Sequence, residues 1–523
     1  MRRSIIWLRL VLLTLSGLGL AVLTLYGSSS LLIGPNVKVI RDNNNRPCLN
    51  GIGPRPNFDC DNLPQNEPSI AVDPSNPNIL AAGANDYRLE LLKQFSYFPI
   101  WMGYYRSTDD GRSWSNSFIP GYPGDISPAG RASPLHDTLG MSDPVLAFDR
   151  RGTLFYAGLA LFDLDNDQNG LVVARYTDHG ATYAGATLVV RQPAGLFTDK
   201  PCMAIDNSGG LNDGNIYLGW TRGSDVVSFS RSADHGRSFS SPQVINTPRT
   251  GPRRFPAIAF SCTIALGPSG QVFLFWRAFN LCHFNPKSST CQAPSLDQPE
   301  SINMAVSHDA GRSFGPVSTV EQIHPFDQLV STLAFRHWTF PSAASDGRNV
   351  YLAWEDWLPG RGSRVLISCS ANGGQDWQSP IVVSPWPTGH QLMPTLAVSD
   401  GLIKVAWYDS RNDPGFSPSS PVINRLDVYY AQAPVGCPVH FPASAWRVTQ
   451  QTFRPDLRIF PVSTRFPASR HPFIGDYIGI ASAGAETHVI WTDNRDVVTS
   501  KPCSSPDQGC FNQNIYTATI RSR

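Results

Sequence analysis

Ser107-Thr108-Asp109-Asp110-Gly111-Arg112-Ser113-Trp114 is one of five copies of an octapeptide pattern, S-x-D-x-G-x-[ST]-[WF]. The others read Y-T-D-H-G-A-T-Y at 176–183, S-A-D-H-G-R-S-F at 232–239, S-H-D-A-G-R-S-F at 307–314 and S-A-N-G-G-Q-D-W at 370–377. The acid (Asp109, Asp178, Asp234, Asp309, with Asn372 in the last) can accept turn N–H groups, while the glycine at 111, 180, 236, 311 and 374 supplies a positive φ. The aromatic that follows packs under the turn. One match would say little; five at near-constant spacing define a repeat.

Upstream of each copy lie two short apolar runs around a turn. Such pairs occupy 68–86, 143–160, 201–222, 262–277, 341–356, 394–409 and 477–493, seven in all. Small and apolar residues on both faces mean strands buried on both sides. A further run follows each turn, as at 241–245 and 379–383, so each unit has four strands with the octapeptide between the third and fourth. Units six and seven lack the octapeptide but keep third strands at 427–431 and 514–518, and 446–449 supplies unit six with a fourth. The seventh unit ends with the chain, so Val37-Lys38-Val39-Ile40 is expected to complete it and close a ring without open edges. The expected fold is an all-β propeller of four-stranded blades over residues 33–523, seven-bladed, with six blades as the alternative.

Composition agrees: 44 Pro, 43 Gly and 13 Trp, with 16% charged residues, suit many short strands joined by turns. A net charge of +1 without a Lys/Arg block argues against nucleic acid as a partner. Residues 1–32 begin Met1-Arg2-Arg3 and run apolar from Leu10 to Tyr26. That is the pattern of a signal peptide or a membrane anchor, so the chain is expected to be exported, either secreted or tethered on the outer side of the membrane. Ten cysteines fit an oxidising compartment. Spacing suggests Cys48–Cys60, Cys282–Cys291 and Cys503–Cys510; Cys202 and Cys262 hold similar places in successive units, which leaves Cys369 and Cys437.

Residues 66–520 resemble the Asp-box (BNR-repeat) β-propellers of the sialidase superfamily on the strength of the five octapeptides. The resemblance implies exo-glycosidase activity on surface or extracellular glycans, carried by three arginines that grip a carboxylate, a Tyr–Glu pair and an Asp acid/base. The F/Y-R-I-P motif of sialidases is absent, Asn85-Asp86-Tyr87-Arg88 being the nearest early arginine. A non-catalytic glycan- or protein-binding propeller is the alternative, and a purely structural cell-surface module a third; a monomer is expected.

Strand direction in a four-stranded blade puts the starts of first strands and the ends of second strands on one face, opposite the octapeptide turns. The first positions hold Glu67, Asp143, Asp199 with Lys200, and Asp476 with Tyr477. The second hold Arg88, Arg222, Arg277, Glu355 with Asp356, Asp409 with Arg411, and Asp493 with Arg495. Arginines here could grip a carboxylate and a carboxyl pair could carry acid/base work, with Tyr87, Tyr408 or Tyr477 as nucleophile. Against that, W-Y-D-S-R (407–411) and W-T-D-N-R (491–495) recur as a signature, which suits pairs that tie strand ends together. Asp165, Asp167 and Asn169 match the opening of a calcium loop, without the Glu expected at its twelfth position. Calcium is therefore the single cofactor candidate. No H-E-x-x-H, G-x-S-x-G, Walker or G-x-G-x-x-G motif points to another enzyme class.

Overall fold

The computed structural model describes residues 31–42, 44, 57–60, 62–89, 100–163, 166, 168–194, 196–223, 226–246, 258–279, 283–285, 290–292, 300–326, 335–420, 422–457, 472–498 and 512–522. Among the described residues the strands form seven antiparallel sheets, six of four strands and one of five, plus a two-stranded hairpin. Blade one is Gln65–Val72, Leu80–Asp86, Trp101–Ser107 and Ser115–Phe118; blade two is Gly140–Phe148, Leu154–Asp163, Gln168–Thr177 and Thr182–Arg191. Blade three is Thr198–Ile205, Ile216–Arg222, Val226–Ser232 and Gln243–Val244; blade four is Ile258–Leu266, Val272–Phe279, Glu300–Ser307 and Ser318–Ile323. Blade five is Ser342–Ser345, Val350–Leu358, Gly362–Ser370 and Ile381–Val382; blade six is Gln391–Ser399, Leu402–Asp409, Asp427–Pro434 and Trp446–Arg447.

Blade seven has Gly479–Ala483, Glu486–Asp493 and Asn514–Ser522, and its outer edge is completed from the other end of the chain. Val37 pairs with Thr517 and Lys38 with Tyr516, as the sequence led us to expect. Leu31–Ile33 also pair with Ser522–Ile520, so the division drawn after residue 32 runs through a strand. The result is a seven-bladed β-propeller. The N-terminal apolar run lies outside the described residues, among which no helix is long and apolar enough to cross a membrane.

Apolar side chains fill the seams between blades. One cluster joins Ile70, Leu80 and Tyr105 of blade one to Ile490 and Ile515 of blade seven, and each successive pair of blades shares another. The second strands of blades three to seven each bury a tryptophan: Trp220, Trp276, Trp354, Trp407 and Trp491. Innermost strands also clasp one another directly, Leu146 N donating to Ser69 Oγ (3.2 Å) and Leu396 N to Ser342 Oγ (3.0 Å). Two disulfides add covalent links between neighbouring blades, Cys202–Cys262 and Cys369–Cys437. Cys60 is disulfide-bonded too; Cys48 and the suggested pairs Cys282–Cys291 and Cys503–Cys510 fall outside the residues whose side chains are described.

Four octapeptide turns share one hydrogen-bond plan. In blade four, Ser307 Oγ donates to Asp309 Oδ1 (2.8 Å) and accepts Gly311 N–H (2.8 Å), while Ser313 N–H and Oγ donate to the same carboxylate at 2.9 and 2.6 Å. The Ser313 donors hold the Asp309 carboxyl down at about 2, and those of Ser238 outweigh slight burial to do the same for Asp234. The copy at 176–183, with Tyr176 in place of the serine, closes instead by pairing Thr177 with Thr182, and Asp178 turns left-handed (φ 53°).

Candidate functional site

Opposite the octapeptide turns, the first strands break their ladders before they reach the mouth of the ring. Register shifts fall between Asn66 and Ser69, Ser142 and Val145, Asp199 and Cys202, Phe260 and Cys262, and Leu392 and Thr395. At each bulge one residue is left-handed: Glu67 (φ 53°), Asp143 (57°), Lys200 (48°), Ser261 (52°) and Met393 (49°). This conformation costs an L-residue about 1–2 kcal/mol. Four of the five precede a proline, whose ring disfavours the right-handed helical region for them. By register, Phe340 and Tyr477 hold the same place in blades five and seven. Seven blades thus contribute one residue each to a ring at the mouth.

Lys200 is the hub of that ring. Its Nζ lies 2.9 Å from Asp476 Oδ2, 3.2 Å from Asp143 Oδ2 and 3.3 Å from Glu67 Oε1, all four side chains being buried. Arg336 forks onto Asp476, with Nε–Oδ1 at 3.0 Å, while its own side chain stays 40% exposed at the mouth. Asn85 joins the acids: its Nδ2 donates to Glu67 Oε2 (2.7 Å) and its Oδ1 accepts Asp143 N–H (2.8 Å). Asp476 N–H donates to Glu67 Oε1 (3.0 Å).

With Asp199 beside them, four carboxyls face two cations, so they cannot all ionise alike. Burial opposes the charge on Asp476, yet Arg336 and Lys200 prevail and hold it well below the usual range. Burial drives Glu67 well above it, with Asp143 and Asp476 adding and Lys200 only partly offsetting. Half-buried Asp199 is pushed up to about 7, by burial first and then by the negative charge of Asp143 and Asp476. Lys200 stays charged because its four acids outweigh its burial. The phenols of Tyr87 and Tyr477 are driven up by burial and by Glu67, and both stay protonated.

The remaining candidates are mostly committed elsewhere. Arg88 is forked onto Asp86 (2.6–2.9 Å) and lies over Phe118. Arg277 is fully buried on Glu300 (2.6 Å) and Thr339 O. Arg411 holds Asp409 and Arg495 holds Asp493, each at 2.6 Å, and Trp407 and Trp491 donate Nε1 to the same carboxylates. The W-x-D-x-R signature therefore closes on itself. Glu355 is buried under His337 Nε2 (2.9 Å), Thr339 Oγ1 (2.9 Å) and Met393 N–H (2.6 Å). Asp356 accepts His324 N–H (2.6 Å), and burial pushes its carboxyl to about 7. Tyr408 is wholly buried with its hydroxyl on Thr492, which removes it as a nucleophile. Arg222 alone among these arginines makes no side-chain ion pair or hydrogen bond among the described residues, and it is half-buried at its strand end. Asp165 and Asp167 lie outside the described residues, and Asn169 Oδ1 accepts Thr198 N–H (2.9 Å).

Arg336, His337 and Asn85 were missed in the sequence. Arg336 enters from ahead of blade five, whose first-strand start is uncharged, so a scan for charges at strand starts passes over it. Asn85 is neutral and was passed over for the same reason.

No family model matches this chain, and no curated protein does. Among solved structures it is similar to an α-L-arabinofuranosidase of Fusarium graminearum, at 14% identity over 72% of this chain and 92% of that one, TM-score 0.43. It is similar also to a leech intramolecular trans-sialidase, at 13% identity over 66% and 65%, TM-score 0.41. A protein of unknown function from Dyadobacter fermentans is similar at 12% identity over 94% and 99%, TM-score 0.41. At such identities the likeness is one of fold.

Proposed function

We propose that the mouth ringed by Glu67, Asp143, Lys200 and Tyr477 takes a carbohydrate, and that the chain is an exported glycoside hydrolase working through a carboxyl pair. The observation that carries this reading is a concavity in which three carboxyls close on the buried Lys200 ammonium with Asp199 beside them on the Lys200 backbone N–H, so that Asp476 is held ionised while Asp199 is raised to about 7. Two carboxyls pushed apart in one concavity are the requirement for general acid and charged partner at a glycosidic bond. Asp199, the more exposed, is the acid; Asp476, held charged by Arg336 and Lys200, is its partner, and Asp143 lines the same concavity. Arg222 and the open side of Arg336 remain for substrate oxygens. The phenols of Tyr87 and Tyr477 are poor nucleophiles here, which favours two carboxyls over a Tyr–Glu pair. Disulfides between blades support export.

One observation favours non-catalytic glycan binding instead: Arg88, Arg277, Arg411 and Arg495 each have a carboxylate of their own, so among the described residues no cluster of three free arginines forms at the mouth. Hydrolysis of a panel of fluorogenic aryl glycosides by the full chain, from pH 4 to 9, separates the two. The expected result is turnover that falls as pH rises through about 7, where Asp199 loses its proton, and a loss of about 100-fold or more in Asp199→Asn. Glycan-array binding without turnover would establish the second reading. Neither binding nor turnover would remove both.

A further inference from the structure

Five of the seven blades are tied to their neighbours at one recurrent position on the third strand, the last residue before the octapeptide where there is one. In blade one it is Arg106, whose Nε donates to His179 O (2.8 Å) in the turn of blade two; in blade three it is Arg231, whose Nη1 donates to Ala310 O (3.2 Å) in the turn of blade four. Thr519 of blade seven donates to Asp110 O (3.2 Å), the same carbonyl position in blade one. Blade six uses Gln432 on Ser522 Oγ (3.3 Å), and blade five uses the Cys369–Cys437 disulfide. Blade two has an arginine there as well, Arg175.

Blade four has Val306, which can donate nothing. The carbonyl it should meet, that of Gly373 in the turn of blade five, has no side-chain donor among the described residues. At this seam lies a cavity of about 590 Å³. Met304, Val306 and Trp377 form its apolar lining, Arg348 and His308 are further walls, and the Gly373 backbone is part of it.

We propose that this cavity is a second ligand site, on the face opposite the mouth, and that it binds a neutral or carboxylate-bearing sugar unit. The volume exceeds one missing arginine side chain, and the Arg348 guanidinium disfavours a cation in its place. A sugar brings what the walls lack: a hydroxyl donor for the Gly373 carbonyl, oxygen acceptors for Arg348, and a C–H face for Met304, Val306 and the Trp377 ring. The inference stands apart from the chemistry at the mouth.

Saturation-transfer NMR on the full protein, with millimolar methyl β-glucoside, methyl β-galactoside, N-acetylglucosamine and methyl glucuronide, tests it. Val306→Arg should restore the link made by Arg106 and Arg231, occupy the part of the cavity beside the Gly373 carbonyl and weaken binding by about tenfold or more, with any turnover at the mouth unchanged. Arg348→Ala, an exposed wall position whose loss removes the guanidinium donors, should weaken it too and serves if the first variant fails to fold. No transfer to any sugar, or equal transfer in a folded variant, would overturn the proposal, as would binding of arginine methyl ester in preference to every sugar.

Discussion

Lys200 receives acids from three other blades, so removing its charge leaves Glu67, Asp143 and Asp476 facing one another in a buried place. Lys200→Met should cost about 3–5 kcal/mol in urea unfolding at pH 7.5, the usual penalty for stripping one partner from a buried ion cluster. The loss should shrink at pH 4.5, where the acids take up protons. An equal, small loss at both values would mean that the cluster is not held by charge. Much of it could be read from the chain, because Glu67, Asp143 and Lys200 each precede a proline at the start of a repeated apolar run. Which arginines are spent was readable in part. Asp86-Tyr87-Arg88, Asp409-Ser410-Arg411 and Asp493-Asn494-Arg495 share D-x-R, and in all three the acid two residues upstream takes the guanidinium. Arg222 lacks that acid. Arg336 could not be read, since its partner Asp476 lies 140 residues away and nothing local marks the pair.

At the scale of strands, the octapeptides located the third-to-fourth turns because Ser, Asp and Gly form that turn from their own hydrogen bonds, independent of what lies around it. The bulges were not readable: a left-handed residue before proline follows from the crowding of seven strands around an axis, and no local rule requires it. Ring closure was readable from arithmetic, as the seventh blade lacked a strand and residues 37–40 were unclaimed. Val37–Lys38 and Leu31–Ile33 cover the edge of Asn514–Ser522. Deleting residues 31–40 should expose that edge and bare Ile515 and Ile520. The expected outcome is a lower Tm with concentration-dependent association in light scattering; an unchanged, monodisperse Tm would mean that blade seven stands without its borrowed strands.

Across the whole molecule, three carboxyls are pushed to about 7, each by burial first: Asp59, Asp199 and Asp356. Folded, they hold protons at pH 5–6; unfolded, they release them near pH 4. The folded state therefore binds more protons at these groups between about 4 and 7. His390 and His488, which burial pulls down to about 4, oppose them below about 6.5. Three acids outweigh two imidazoles, and stability falls as pH rises through that window, by at most about 1.4 kcal/mol per unit for each fully buried acid. Below pH 4 the sign reverses, because Asp476, Asp234 and Asp309 have been pulled down and must then be protonated at the fold's expense. Calorimetry from pH 3 to 8 should find the highest Tm near 4–5, and replacing Asp59, Asp199 and Asp356 by Asn should flatten the decline above it. A maximum at pH 7–8 in the unaltered chain would contradict this balance.

The left-handed residues at the mouth give the ring a lineage of its own. Glycine at Asp143 would relax the backbone and thin an excess of acids in one step, so heat selection acting alone should drift toward glycine there and leave an inert, sturdier ring. Descendants that still present an acid on that backbone are under a demand other than endurance.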